Sequence, residues 1–351
     1  MNIDPLSPPM LTPELPGIGG FIKVHPADFE VEEIPSYEPE GQGEHLFLWI
    51  QKTDVGPEHL ARTIAQRLNV PVGSVGTAGL KDRRAITRQW VSVPQTAEAR
   101  LTHLNGGGIE LLKHTRHGNK LKPGHSRGNR FRILVRDADA TKSQELQAII
   151  ARIREMGLPN YYGPQRFGRE GSTLDLGFDC LAGKQSRRVR PFVFKFALSA
   201  VQSFLFNDML ARRIRDGFYR TVMPGDAMMK WPWGGLFVAE DVEAEQKRFD
   251  ARETVTAGPM FGKHTFPTAG IAAEREAEVL AFHKLSSQSF DGFGKLMGGT
   301  RRHNMIYIDD LSAEWEPDGL RLAFSLPSGC YATVLLREVM KTEINEEPVE
   351  D

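Results

Sequence analysis

The sequence predicts an α+β fold with a mixed, mainly antiparallel sheet, and a second domain inserted into the first. Three observations carry this. Strand and helix patterns mingle over residues 21–156 without the regular alternation of a parallel sheet, a stretch dense in Pro, Gly and Trp occupies the middle, and strand pattern returns near residue 320. The 351 residues exceed the size at which a single core stops growing, so about two domains are expected.

Residues 21–34 and 46–51 alternate or run apolar with aromatic and β-branched side chains and read as strands, punctuated by Gly41-Gln42-Gly43. Gly56-Pro57 opens a helix that stacks Leu60, Ile64 and Leu68 on one face, and Val70-Pro71 closes it. Residues 90–93, 109–113 and 131–135 are further strands. A helix over 143–156 carries the stripe Leu146, Ile149, Ile150 and Ile153, with Gly157 placed to stop it. Residues 160–173 show no periodic element. A long helix over 194–216 follows, with Leu198, Val201, Leu205, Met209 and Ile214 near one face and Gly217 after it. Beyond Pro224-Gly225 and Trp231-Pro232-Trp233-Gly234-Gly235, residues 272–297 read as mostly helical, and residues 320–326 and 331–336 as strands.

The composition, 40% hydrophobic and 25% charged, is that of a soluble globular protein. Two cysteines, Cys180 and Cys330, stand far apart, which argues against a disulfide framework and a Cys-rich zinc site. The Pro- and Gly-rich residues 1–20 read as flexible and lack a basic and apolar leader pattern, and no run approaches the ~20 apolar residues of a membrane span. A soluble, cytoplasmic protein is expected.

The net charge of −1 conceals a segregated distribution. Lys113, Arg116, Lys120, Lys122, Arg127, Arg130, Arg132 and Arg136 follow one another with no Asp or Glu between them, and Lys184, Arg187, Arg188 and Arg190 form a second cluster. Acids gather at Glu30, Glu32, Glu33, Glu38, Glu40 and Glu44 and in residues 343–351. One basic face suits a polyanion, though charge alone weighs this equally with a solvated surface. His114 and His117, three apart without a carboxylate or Cys nearby, read as solvated loop histidines. No P-loop, GxGxxG, HExxH or GxSxG string is present.

The most unusual string is residues 76–90, where Asp82 stands alone among Lys81, Arg83, Arg84 and Arg88 behind Gly76 and Gly79. Positive neighbours favour the ionised form that a nucleophile needs. A surface ion pair is the commoner outcome for such a string. Arg127-Gly128-Asn129-Arg130-Phe131 combines an amide, an aromatic and guanidinium groups, suited to a base edge, a base face and phosphate. Residues 160–168, from Asn160 through Tyr161, Tyr162 and Arg166 to Gly168, repeat that mixture.

Six strings in order resemble the TruD family of tRNA pseudouridine synthases, which isomerise uridine 13 of tRNA. They are Pro26 through Glu33, Gly43-Glu44-His45, Ala78 through Arg83, Gly128 through Phe131, Asn160 through Gly168, and Leu326 through Thr333. The resemblance implies a pseudouridine-synthase catalytic domain of residues 1–158 together with 305–351, and an inserted TruD-type α/β domain of residues 159–304. It places the catalytic aspartate on Asp82 and substrate contacts on Phe29, Asn129 and Tyr331, with Phe131 and Lys23 also at the site. Tyr331 departs from the family's Phe. It keeps an aromatic face and adds a hydroxyl. Isomerisation consumes nothing, so neither cofactor nor metal is implied. The partner implied is tRNA, with no membrane, and the chain is expected to act as a monomer. Two other readings use the same residues. One is a non-catalytic RNA-binding protein on this scaffold. The other is a glycoside or nucleoside hydrolase, which normally needs a second carboxylate such as Glu32, Glu33 or Glu44.

Overall fold

The structure is a computed structural model that describes residues 4–168, 171–184 and 189–342; Arg187, Arg188 and the acidic residues 343–351 lie outside them. In chain order come β1 (Phe29–Pro35), β2 (His45–Thr53), α1 (Pro57–Leu68), the short β3 (Gly76–Thr77), β4 (Ile86–Pro94), β5 (Ile109–His117), β6 (Ser126–Val135), α2 (Ser143–Met156) and β7 (Leu158–Pro159). The middle holds α3 (Ser172–Leu181), α4 (Pro191–Arg215), β8 (Ala227–Lys230), β9 (Leu236–Val238), α5 (Val242–Asp250), β10 (Thr254–Met260), α6 (Gly270–Phe282) and β11 (Thr300–His303). The chain returns through β12 (Met305–Ile306), which pairs antiparallel with β7, to β13 (Ser312–Glu316), β14 (Gly319–Pro327) and α7 (Ala332–Met340).

The main sheet has the order β13-β14-β6-β1-β4-β2-β5, with β3 added on β4. Among the described strands only β1 and β4 run parallel. The middle elements build a separate sheet, β11-β10-β8-β9. Alternation along β14 turns Leu320, Leu322, Phe324 and Leu326 inward against Ile149 and Ile153 of α2 and Leu335 and Val339 of α7. On the other half of the sheet, Leu60, Ile64 and Leu68 of α1 cover Leu48, Ile50, Val91 and Val93. Within the middle portion, Phe206 and Leu210 of α4 pack with Met228 of β8 and Val255 of β10.

Several expectations change. Residues 332–340 form a helix, not a strand. Their apolar positions Ala332, Leu335, Leu336 and Val339 follow a helical repeat against the core, which overrides β-rich local composition. The helical stretch beyond 272 ends at Phe282 and continues only as single turns, at Ser287–Phe290 and Gly294–Met297. Residues expected to be flexible near the N-terminus are pinned to α7. The buried Glu338 carboxylate accepts from Leu11 N–H and, at 3.0 Å, from the Thr12 hydroxyl, and Ile18 N–H donates to Val339 O at 3.1 Å. His117 lies buried on β5 rather than in a solvated loop, stacked 4.9 Å from Tyr37.

One edge of β4 is shared. Residues 86–88 pair with β1, and residues 91–92 pair with β3. At the handover the N–H of Trp90 is taken by Glu33 Oε1 at 3.2 Å. The other carboxylate oxygen of Glu33 lies 3.1 Å from Lys81 Nζ, with side chains only 1% and 5% exposed respectively. Removing one member of such a buried pair strands a charge. Glu33→Ala should lower stability by about 3–5 kcal/mol, read as a fall in urea midpoint. A change under about 1 kcal/mol would show that Lys81 finds water instead.

Candidate active site

Asp82 sits in the loop between β3 and β4, and its neighbours in sequence turn out to be committed elsewhere. Lys81 pairs with Glu33, Arg83 reaches Asp54 at 3.9 Å, and Arg88 reaches Glu30 at 3.4 Å. The partner of the Asp82 carboxylate comes from far away in the chain. Lys23 Nζ lies 3.2 Å from Oδ1, with side chains 14% and 43% exposed for Lys23 and Asp82. Lys23 holds a left-handed backbone, φ 58°. Its ammonium also lies 4.3 Å from the centroid of the Phe29 ring, an arrangement stabilised by the ring quadrupole.

The parallel pairing of β1 and β4 explains the convergence. Glu30 is in register with Ile86, so Phe29 at the start of β1 and the loop entering β4 share one end of the sheet. Phe29 is 2% exposed. Its ring meets Phe131 edge-on at 6.2 Å, and Phe131 stacks on Phe324 at 5.3 Å. Phe131 therefore backs Phe29 from within the core. Asn129, on β6, is in register with Glu33 of β1 and Leu326 of β14. Its Oδ1 is buried with no hydrogen-bond partner among the described residues.

Tyr331 stands at the N-terminal cap of α7, so the start of that helix decides where its ring goes. The ring meets Tyr162 at 5.6 Å in an edge arrangement. Burial pushes its hydroxyl up from the usual phenol value, while Arg166 and Arg302 oppose that rise, and the ring is a neutral phenol at neutral pH. Arg302, on β11, ties the middle portion to this corner. Its guanidinium lies 4.1 Å over Tyr162, donates to Gly329 O at 2.8 Å and grips Asn160 through Oδ1 at 2.6 Å and O at 3.0 Å. Asn160 and Tyr161 are both buried, so part of the 160–168 string frames the corner instead of facing a ligand.

The basic run is divided in the same way. Arg136 forms a two-pronged pair with the buried Asp28, at 2.9 and 2.8 Å, and this holds Asp28 below the usual carboxylate range against the opposing effect of burial. Arg116 pairs with Glu98 and Arg130 with Glu32, and Lys113 lies over Trp90 at 5.3 Å. Lys122 and Arg127 are exposed and make no salt bridge among the described residues. Arg302 is a contributor that the sequence did not single out, and Glu33 enters as the partner of Lys81 and not as the second carboxylate of a hydrolase. For Glu33 a signal exists: in a strand, residues 29, 31 and 33 share a face, so it belongs with Phe29 and Val31 and not with the outward Glu30 and Glu32.

Comparison with known proteins identifies the family. The model of the family tRNA pseudouridine synthase D (TruD) matches residues 7–197 and 187–339. The tRNA pseudouridine synthase D of a Thermus thermophilus strain is 43% identical over 336 residues, covering 95% of this chain and 92% of the relative. That of an Anaeromyxobacter species is 40% identical over 338 residues, covering 95% and 96%. A crystal structure described as a TruD protein from Methanosarcina mazei superposes with a TM-score of 0.74 at 23% identity over 97% of this chain and 96% of its own, which supports the fold. The chain belongs to the tRNA pseudouridine synthase D (TruD) family.

Proposed function

We propose that this chain converts uridine 13 of tRNA to pseudouridine, with Asp82 as the catalytic carboxylate. The observation that carries the assignment is the half-exposed Asp82–Lys23 pair beside Phe29, in the family shown above. The bond from uracil N1 to ribose C1′ breaks, the base turns, and a bond forms from C1′ to C5. The C5 proton leaves and N1 gains one, so nothing is oxidised or consumed. An ionised carboxylate serves three routes: attack at C1′, removal of a sugar proton as a glycal forms, or addition to C6 of the base.

Asn129 Oδ1, buried and unsatisfied, is an acceptor of the kind that the uracil N3–H would meet. Phe29, backed by Phe131, and Tyr331, held by Tyr162, supply the aromatic walls for a base taken out of its stack. Lys23 fixes the carboxylate. Lys122 and Arg127 supply charge for the RNA backbone. The pairing of β7 with β12, which brings residues 158–159 beside 305–306, supports reading residues 159–304 as an inserted domain and residues 1–158 with 305–351 as the catalytic domain. Among the described residues no helix is long and apolar enough to cross a membrane. A cytoplasmic monomer is the working form we propose.

Asp82→Asn should remove pseudouridine formation from chemical mapping of tRNA while leaving tRNA Kd within about threefold. Near-normal turnover by that variant would overturn the assignment, and release of free uracil by the unaltered protein would favour the hydrolase. Asn129→Ala should lower kcat/KM about 10- to 100-fold, the weight of a buried hydrogen bond. Tyr331→Ala should raise KM for tRNA by about 5- to 100-fold, as expected for one lost stacking contact. An unchanged KM would move Tyr331 out of the site.

A further inference from the structure

Beneath Asp82 lies a charged side chain that the proposed reaction does not touch. Lys52, one residue before the end of β2, is fully buried. Its Nζ donates to the main-chain carbonyls of Val55 at 2.8 Å and Asp82 at 2.5 Å, with Lys81 O at 3.5 Å. Two of these three acceptors belong to the loop that carries the carboxylate. The third lies in the turn after β2, and Asp54 N–H in that turn donates to Ala85 O at 3.2 Å. An ammonium offers three donors and no acceptor, whereas an amine would turn a lone pair toward one of the carbonyl oxygens. The ammonium can serve all three carbonyls and the amine two of them, so the contact with the loop persists in either form.

We infer that Lys52 is a positioning residue for the proposed isomerisation: its buried Nζ gathers the carbonyls of Val55, Lys81 and Asp82 and fixes the backbone from which Asp82 presents its carboxylate. The inference rests on the assignment of Asp82 as the reacting group. Lys23 acts on the carboxylate from outside, and Lys52 acts on its main chain from inside. The charged groups facing Lys52 are Asp82 and Asp54, which favour its ammonium, and Lys81, which opposes it. Its register partners, Thr87 of β4 and Ile109 of β5, carry no charge. Burial outweighs the two carboxylates and brings Lys52 down to about 8.

That gives the contact a pH signature with a definite sign. If the loop opens and Lys52 meets water, its pKa returns toward about 10.5, so the open form binds more protons than the closed form between about 8 and 10.5. Raising the pH through that window therefore makes opening harder. Between pH 7 and 9.5 the opening equilibrium should fall about twentyfold.

The test combines hydrogen exchange of the amides of residues 81–86, corrected for intrinsic rates, with steady-state kinetics on tRNA. In the unaltered protein, protection of these amides should rise about twentyfold from pH 7 to 9.5. In Lys52→Met that rise should vanish, and kcat should fall about 100-fold with KM within about threefold. A folded Lys52→Met with unchanged kcat overturns the inference. If Lys52→Met does not fold, Lys52→Gln decides: an unchanged kcat overturns the inference, and a kcat at least tenfold lower with KM within about threefold sustains it. An unaltered protein that makes no pseudouridine defeats the functional assignment instead, while its loop protection still reports on the contact.

Discussion

The carboxylate of Glu33 is the constraint on which the rest of the site depends. Where β4 passes from β1 to β3, the ladder leaves Trp90 N–H to be satisfied by a side chain, and Glu33 supplies the oxygen. A buried carboxylate needs a counter-charge, and Lys81 provides it. Lys81 immediately precedes Asp82. Satisfying one backbone donor within the sheet therefore anchors the loop that carries Asp82. The same strand carries Phe29 two turns of the alternation earlier, so β1 positions both the aromatic wall and the loop beside it.

The second corner of the site depends on a different kind of link. Tyr331 has its position because α7 begins there, and the turn before it is gripped by Arg302 from the middle portion of the chain. Arg302 also lies on Tyr162, which packs on Tyr331, so one guanidinium joins three segments remote in sequence. A planar group with five donors can hold two carbonyls and an amide while covering a ring; a lysine could not. Whatever moves the middle portion would thereby move Tyr331.

Much of the architecture was legible, for a physical reason. α1, α2 and α4 carry apolar stripes at helical spacing, and those stripes are the faces they bury. α7 was not legible from residues 331–336 alone. A short apolar run does not distinguish a strand from a buried helix, and the decisive residues Val339 and Met340 lie beyond it. β10 was not read as a strand; it is buried along its whole length, so the alternation of Thr254, Val255, Thr256 and Ala257 does not separate a buried from an exposed face. At the site, Asp82, Phe29 and Asn129 lay in recognisable strings. The sorting of charges did not, because ion-pair partners are chosen in three dimensions. Sequence neighbours of Asp82 look like its counter-ions, yet each described pair of Lys81, Arg83 and Arg88 is made with another acid, and the cation that meets Asp82 lies 59 positions away.

This sorting has a consequence for chemistry. A buried pair such as Glu33–Lys81 or Arg213–Asp226 cannot be opened without leaving a charge in a poor solvent, so it serves as framework. An exposed pair contributes about 0–1 kcal/mol and can be exchanged for a ligand at little cost. Asp82–Lys23 is the more exposed kind on its carboxylate side. A ligand that meets Asp82 can then take over contacts of the carboxylate without disturbing the loop that carries it. The main chain of that loop is meanwhile held by interactions of the costly kind. Rigid backbone beneath a replaceable side-chain contact is the division a reacting carboxylate requires, because it must change partners during the reaction while its position stays fixed.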